Sequence, residues 1–168
     1  MRMKGIFIMK QYIGIKIIKA KAMTRGEYNT LRGKVFPVGE NPADDGYLVE
    51  YSDGYISWSP KKAFDEAYRE CDNMTFGLAI EALKKGLKVA RKGWNGKGMY
   101  LWLLPATTIK KEWCRDEKLL ECFGEKDELF CLGSIRMYTH DSTGRTAVLT
   151  GWLASQSDML SEDWYIVE

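Results

Sequence analysis

Apolar and polar positions along the chain fall into short runs of two different periods. Phe76, Ala79, Ile80 and Leu83 recur at i, i+3, i+4 and i+7, which predicts a helix with one apolar face. Thr75 can cap its start, and Gly86 can end it as a left-handed C-cap. Strands are expected next at Leu87–Arg91 and Met99–Leu104, the second apolar on both faces and therefore central and covered. Ile135–His140 and Thr146–Trp152 read as a hairpin around Asp141-Ser142-Thr143-Gly144. The run Trp164-Tyr165-Ile166-Val167 reads as a closing strand, with Trp164 in the core.

The first part of the chain has its own series. An apolar strand is expected around Tyr12–Ala20, followed by Thr24-Arg25-Gly26-Glu27, a capping box that opens a short helix. After the Pro/Gly/Asn/Asp-rich loop Pro37–Gly46, the runs Tyr47–Tyr51 and Tyr55–Trp58 flank Ser52-Asp53-Gly54 as a hairpin. Ser59-Pro60 then begins a helix to about Glu70, with Pro60 at its first position, where a missing N–H costs nothing. Glu70-Cys71-Asp72-Asn73 is the expected boundary. The fold class that follows is α+β: an accessory module at 1–72, and at 73–168 an antiparallel sheet with an N-terminal helix packed on it.

Thr107–Gly133 departs from this rhythm. Its acids outnumber its bases, and Ile109, Trp113, Leu120 and Phe123 form a loose helical stripe. It reads as a surface helix and loop inserted into the sheet, able to cover a pocket or to build an oligomer contact.

Composition narrows the function classes. The 168 residues are 45% hydrophobic and 29% charged, enough for a core. A net charge of +2 argues against a dedicated duplex-DNA binder, and no stable nucleic-acid partner is expected. Cys71, Cys114, Cys122 and Cys131 have no CxxC spacing and only His140 as a histidine partner, so reduced, mostly buried thiols are expected in a cytosolic protein, without a zinc site or disulfide. No run approaches the roughly 18 apolar residues that span a bilayer, and Lys4, Lys10 and Lys16 interrupt any signal-peptide core. Either Met1 or Met9 is compatible with the start of the domain.

Candidate chemistry concentrates in ARKGWNGKGMY at Ala90–Tyr100 and GWLASQSDMLSEDWYIVE at Gly151–Glu168. In the first, glycines free the backbone for close approach to a ligand. Trp94 offers a stacking face, Asn95 a donor and an acceptor, and Arg91, Lys92 and Lys97 a field that favours phosphate. Lys84, Lys85 and Lys88 read as a solvated face. In the second, Trp152 precedes Ser155, Gln156, Ser157 and Asp158, whose carboxylate suits a ribose diol or an exocyclic amine. Trp94 and Trp152 also admit a plainer reading as caps on a core edge.

Met74–Glu168, through MTFGLAIEALKKG, KVARKGWNGKGMY and GWLASQSDMLSEDWYIVE, resembles the phage Thoeris anti-defence sponge family, second type, formerly a domain of unknown function. The resemblance covers rather more than half of the chain. It implies a small α+β subunit that assembles as a homotetramer in the cytoplasm of an infected bacterium. Such a protein binds cyclic nucleotide immune signals, chiefly glycosylated cyclic ADP-ribose and in some members cyclic oligonucleotides, without cleaving them. The candidate ligand set within these two motifs is Arg91, Trp94, Asn95, Gly96, Lys97, Met99, Trp152, Ser155, Gln156 and Asp158. The resemblance says little about 107–133 and nothing about 1–72.

Catalytic motifs are missing from the sequence. It has no G-x-S-x-G elbow and no H-E-x-x-H. Gly93-x-x-Gly96-Lys97-Gly98 lacks the Ser or Thr that would make it a P-loop. No cofactor or metal is expected: Asp158, Glu162 and Asp163 are close enough in sequence to suit a hard cation, but the plainer reading of Glu162 and Asp163 is a turn before the last strand. The reading is a non-enzymatic sequestering protein. The alternatives are an enzyme acting on the same nucleotide, or a small single-strand nucleic-acid binder.

Overall fold

The computed structural model describes residues 14–33 and 39–168. The question of Met1 or Met9, and the first residues of the strand expected at Tyr12–Ala20, lie outside them. The chain divides into two compact units between Arg69 and Glu70.

In the first unit, β1 (Lys19–Ala22), β2 (Gly46–Glu50) and β3 (Ile56–Pro60) form an antiparallel sheet in that order. The expected strand is displaced toward the C-terminus: residues 14–18 are irregular, and pairing begins where Lys19 meets Glu50. The capping box is present, with Thr24 and Glu27 exchanging side-chain and backbone bonds at the start of α1 (Arg25–Leu31). Pro60 is not the first helical residue. It ends β3 and occupies the N-cap of α2 (Lys61–Ala67), which stops short of Glu70. Gly46 has no room for a side chain, because a Cβ there would collide with the Trp58 indole and the Ser59 carbonyl. Trp58 donates its Nε1–H to the Met23 carbonyl at 2.8 Å.

In the second unit, a five-stranded antiparallel sheet runs β10-β4-β5-β8-β9. Its members are β4 (Lys88–Arg91), β5 (Tyr100–Leu104), β8 (Ser134–His140), β9 (Thr146–Thr150) and β10 (Trp164–Val167). Helix α3 (Phe76–Lys84) is capped by Thr75, whose hydroxyl accepts from the Leu78 N–H. It ends at Gly86, whose φ of 81° is open to glycine and strained for other residues. Its apolar stripe packs on Val89, Leu101, Met137 and Trp164, all from alternate positions on one side of the sheet. Full burial of side chains such as Leu83, Val89 and Leu101 contributes roughly 1.5–3 kcal/mol each. The short helix α5 (Gln156–Leu160) joins α3 on this side.

Three expectations change here. β5 is central, yet only Leu101 on it is fully buried; Tyr100 and Trp102 point to the side away from α3 and are half-buried. The insertion is more strand than helix. β6 (Thr107–Lys110) and β7 (Glu128–Cys131) pair as a separate two-stranded ribbon, with the single-turn α4 (Glu117–Glu121) between them. The loose stripe does not form one helical face: Ile109 is in a strand, Trp113 is 64% exposed, and only Phe123 is fully buried. The cysteines are free thiols but not mostly buried, since Cys71 and Cys122 are exposed and Cys114 and Cys131 half-buried. No helix among the described residues is long and apolar enough to cross a membrane.

Candidate functional site

The site forms where β4 runs out into the 92–99 loop and α5 returns the chain to β10. Arg91 is the last residue of β4, opposite Trp164 of β10, so its side chain emerges on the α3 side of the sheet. Its Nη1 donates to Asp158 Oδ1 at 2.7 Å, and its Nε to Asp163 Oδ1 at 2.8 Å. The guanidinium lies 6.0 Å from the centre of the Trp164 ring. Only 12% of the Arg91 side chain and 11% of the Asp158 side chain is exposed, so solvent screens this pair little.

Asp158 is the hub. It is the third residue of α5 and closes a capping box with Ser155. Oδ2 accepts from the Ser155 N–H at 3.0 Å and the Ser155 hydroxyl at 2.7 Å, while Oδ1 accepts from Arg91 and from Trp94 Nε1–H at 3.0 Å. Four donors fill the carboxylate's acceptor sites. Burial by itself would raise its pKa; the bonds from Ser155, Trp94 and Arg91 outweigh that and hold it well below the usual carboxylate range. Asp163 is also depressed, first by Arg91 and then by the Gly93 N–H, which it accepts at 2.8 Å. The same two carboxylates, Asp163 foremost, raise Arg91.

Above this ionic floor stand three indoles. Trp94 meets Trp164 edge-on with centroids 5.4 Å apart, and Trp152 at 6.1 Å; Trp152 and Trp164 are 6.2 Å apart. Phe76 of α3 closes the group at 5.4 Å from Trp164. Trp164 also donates its Nε1–H to the Asp158 carbonyl at 3.0 Å. Trp94 and Trp152 thus pack on the core edge while remaining half-exposed.

The ten candidate residues separate into three groups. Arg91, Trp94, Trp152, Ser155 and Asp158 are joined in one cluster, so the two sequence motifs meet within a single subunit. Asn95, Lys97 and Gln156 are exposed, and among the described residues their side chains have no hydrogen-bond or ionic partner. Gly96 and Met99 act on each other: a Cβ on Gly96 would lie 2.6 Å from Met99 Sδ, so the absence of a side chain lets Met99 fold beneath the loop. Met99 Sδ is also 3.3 Å from Thr139 Oγ1. Asp163, which sequence reasoning assigned to a turn, is the residue it missed. Only the register Arg91–Trp164 places it there, and the sequence carries no signal for that pairing.

This arrangement can hold a ligand rigidly but is poorly suited to proton transfer. Asp158 has no free lone pair and titrates far from neutrality, whereas a general base needs a pKa near the working pH. A cavity of about 650 Å³ elsewhere in the unit is lined by Cys122, Phe123, Phe130 and their neighbours in the 107–133 arm, and by none of the ten residues.

Comparison with known proteins bears on the same segment. Residues 74–167 match the sequence model of the Thoeris anti-defense 2-like domain. The Thoeris anti-defense 2 protein of Bacillus phage SP01 is 35% identical over 94 residues, covering 56% of this chain and 94% of that protein.

Proposed function

The chain belongs to the Thoeris anti-defence 2-like family, a phage anti-defence family, and from that premise we propose that it captures a cyclic nucleotide immune signal of the glycosylated cyclic ADP-ribose class and sequesters it uncleaved. The observation that carries this reading is the fixed Trp94 loop. Its indole is pinned by Asp158 and Trp164, while Asn95 and Lys97 in the same loop and Gln156 beside Ser155 keep their polar groups unused among the described residues. A base or sugar can stack on the indole, and the free groups can take a ribose or phosphate. A saturated, strongly acidic Asp158 favours binding over hydrolysis.

Sequestration needs affinity. A nanomolar dissociation constant corresponds to roughly 12 kcal/mol, more than one open loop supplies, so we expect the ligand to be buried between subunits of a homotetramer in the host cytoplasm. Leu149, Leu153 and Leu160, exposed on β9, on α5 and in the loop between them, are apolar surface that such a contact would cover. The test is to mix protein and signal, remove unbound molecule, denature, and identify what is released. Intact ligand in stoichiometric amount supports capture; a cleaved or modified product supports an enzyme.

A further inference from the structure

The five-stranded sheet has a second face, opposite α3. Pairing puts Tyr100 of β5 beside Tyr138 of β8, and Trp102 beside Arg136. The register set by Val89 opposite Leu101 brings Lys88 of β4 onto the same side, and Tyr165 of β10 falls there as well. Tyr100 and Tyr138 are stacked, with centroids 4.9 Å apart and planes 7° from parallel, and Trp102 is 5.9 Å from Tyr100. Lys88 Nζ is 5.1 Å from the centre of the Tyr100 ring. Arg136 Nε is buried and has no hydrogen-bond partner among the described residues. No Asp or Glu occupies the positions of these strands that alternate with the core-facing ones.

Aromatic side chains on the central strands, cations beside them and no acid are the ingredients that hold the bases and phosphates of an unpaired strand. From these observations we infer that this face is a binding platform for single-stranded nucleic acid, separate from the Trp94 site and independent of its function. Bases extend the Tyr100–Tyr138 stack and cover Trp102; phosphates meet Lys88 and Arg136. A second copy of the chain suits the face less well. A two-fold, face-to-face contact would bring Lys88 and Arg136 of both copies together with no Asp or Glu at these strand positions to offset them. A single-strand platform departs from the expectation of no stable nucleic-acid partner: the small net charge weighs against duplex binding, whereas a stacked strand takes much of its affinity from aromatic faces.

The experiment is fluorescence anisotropy of short labelled oligouridylate and oligothymidylate with the full chain, from about 50 to about 200 mM salt. Saturable binding is expected, weakening with salt. Tyr138→Ala should weaken it about ten-fold, as loss of one stacked base implies. Lys88→Gln, a milder change that spares the packing, should lower the salt slope by about one. Absence of binding by the unmodified protein overturns the inference, as does binding that neither variant alters. Self-association that Tyr138→Ala abolishes, without oligonucleotide binding, assigns the face to a second copy and overturns it equally.

Discussion

Replacing Asp158 by Asn keeps the shape of the hub and removes its charge, and the structure makes the consequence calculable. The carboxylate accepts two donors on each oxygen. An amide has one accepting oxygen. With that oxygen toward Arg91 and Trp94, its NH₂ faces Ser155, whose hydroxyl can turn to accept but whose N–H cannot, so one bond is lost, one pair of hydrogens is opposed, and the remaining bonds lose their charge. Hydrogen bonds to charged groups are worth about 1.5–3 kcal/mol each, and breaking a buried pair by removing one partner costs about 3–5 kcal/mol. Arg91 keeps Asp163, however, and Ser155 is near solvent, so the net loss should be about 2–4 kcal/mol, below the sum of those terms. Urea unfolding followed by tryptophan fluorescence reads this directly, because Trp94, Trp152 and Trp164 all surround the hub. A slope of about 1–3 kcal/mol per molar urea converts the loss into a midpoint lowered by roughly 1–2 M. A change below about 0.5 kcal/mol, the size of an ordinary surface substitution, would refute the reasoning and free Asp158 for a ligand.

Three further outcomes follow from the same cluster. Trp94→Phe should keep much of the indole packing and lose only the bond to Asp158, whereas Trp94→Ala should also weaken signal binding by about 1–3 kcal/mol in a calorimetric titration; equal affinity in wild type and Trp94→Ala would misplace the site. Gly93→Ala should destabilise the unit in thermal melts, because a Cβ there lies 2.8 Å from Asp163 Oδ2 and 3.3 Å from Arg91 Nη2; an unchanged melting temperature would show that the ion pair yields at no cost. Asp158 and Asp163 have folded pKa values below their unfolded ones, so their contribution is complete above the unfolded value near 3.9 and is lost as pH falls below it toward the folded values. Unfolding measured across that window should steepen in wild type and flatten in Asp158→Asn, and identical acid profiles would contradict the assignment.

Local chemistry made much of this fold legible in the sequence. The Thr24–Glu27 capping box, the Thr75 cap, the Gly86 stop and both hairpins have signals within a few residues of where they act, and each is found in place. Trp164 reads as core and is fully buried. What the sequence concealed depends on pairing at a distance. The second partner of Arg91 is 72 residues away at Asp163, and Trp94 reaches Asp158 across 64 residues, so neither bond leaves a local pattern. The apolar run of β5 suggested cover on both faces, because hydropathy counts Tyr100 and Trp102 as core although, on the sheet face away from α3, they are only half-buried. The 107–133 arm was misjudged for a related reason: Ile109 and Phe123 are apolar for different neighbours, and a helical stripe drawn through both joins a strand to a turn.

The claim that this protein is a capture device rests most directly on whether it holds its signal at equilibrium and gives it back. Glycosylated cyclic ADP-ribose should be titrated calorimetrically into the full chain, with the bound molecule recovered after denaturation and its mass determined. The account predicts saturable binding with a defined stoichiometry per assembly and full recovery of unaltered ligand. No heat of binding, or recovery of a hydrolysed product, would contradict it.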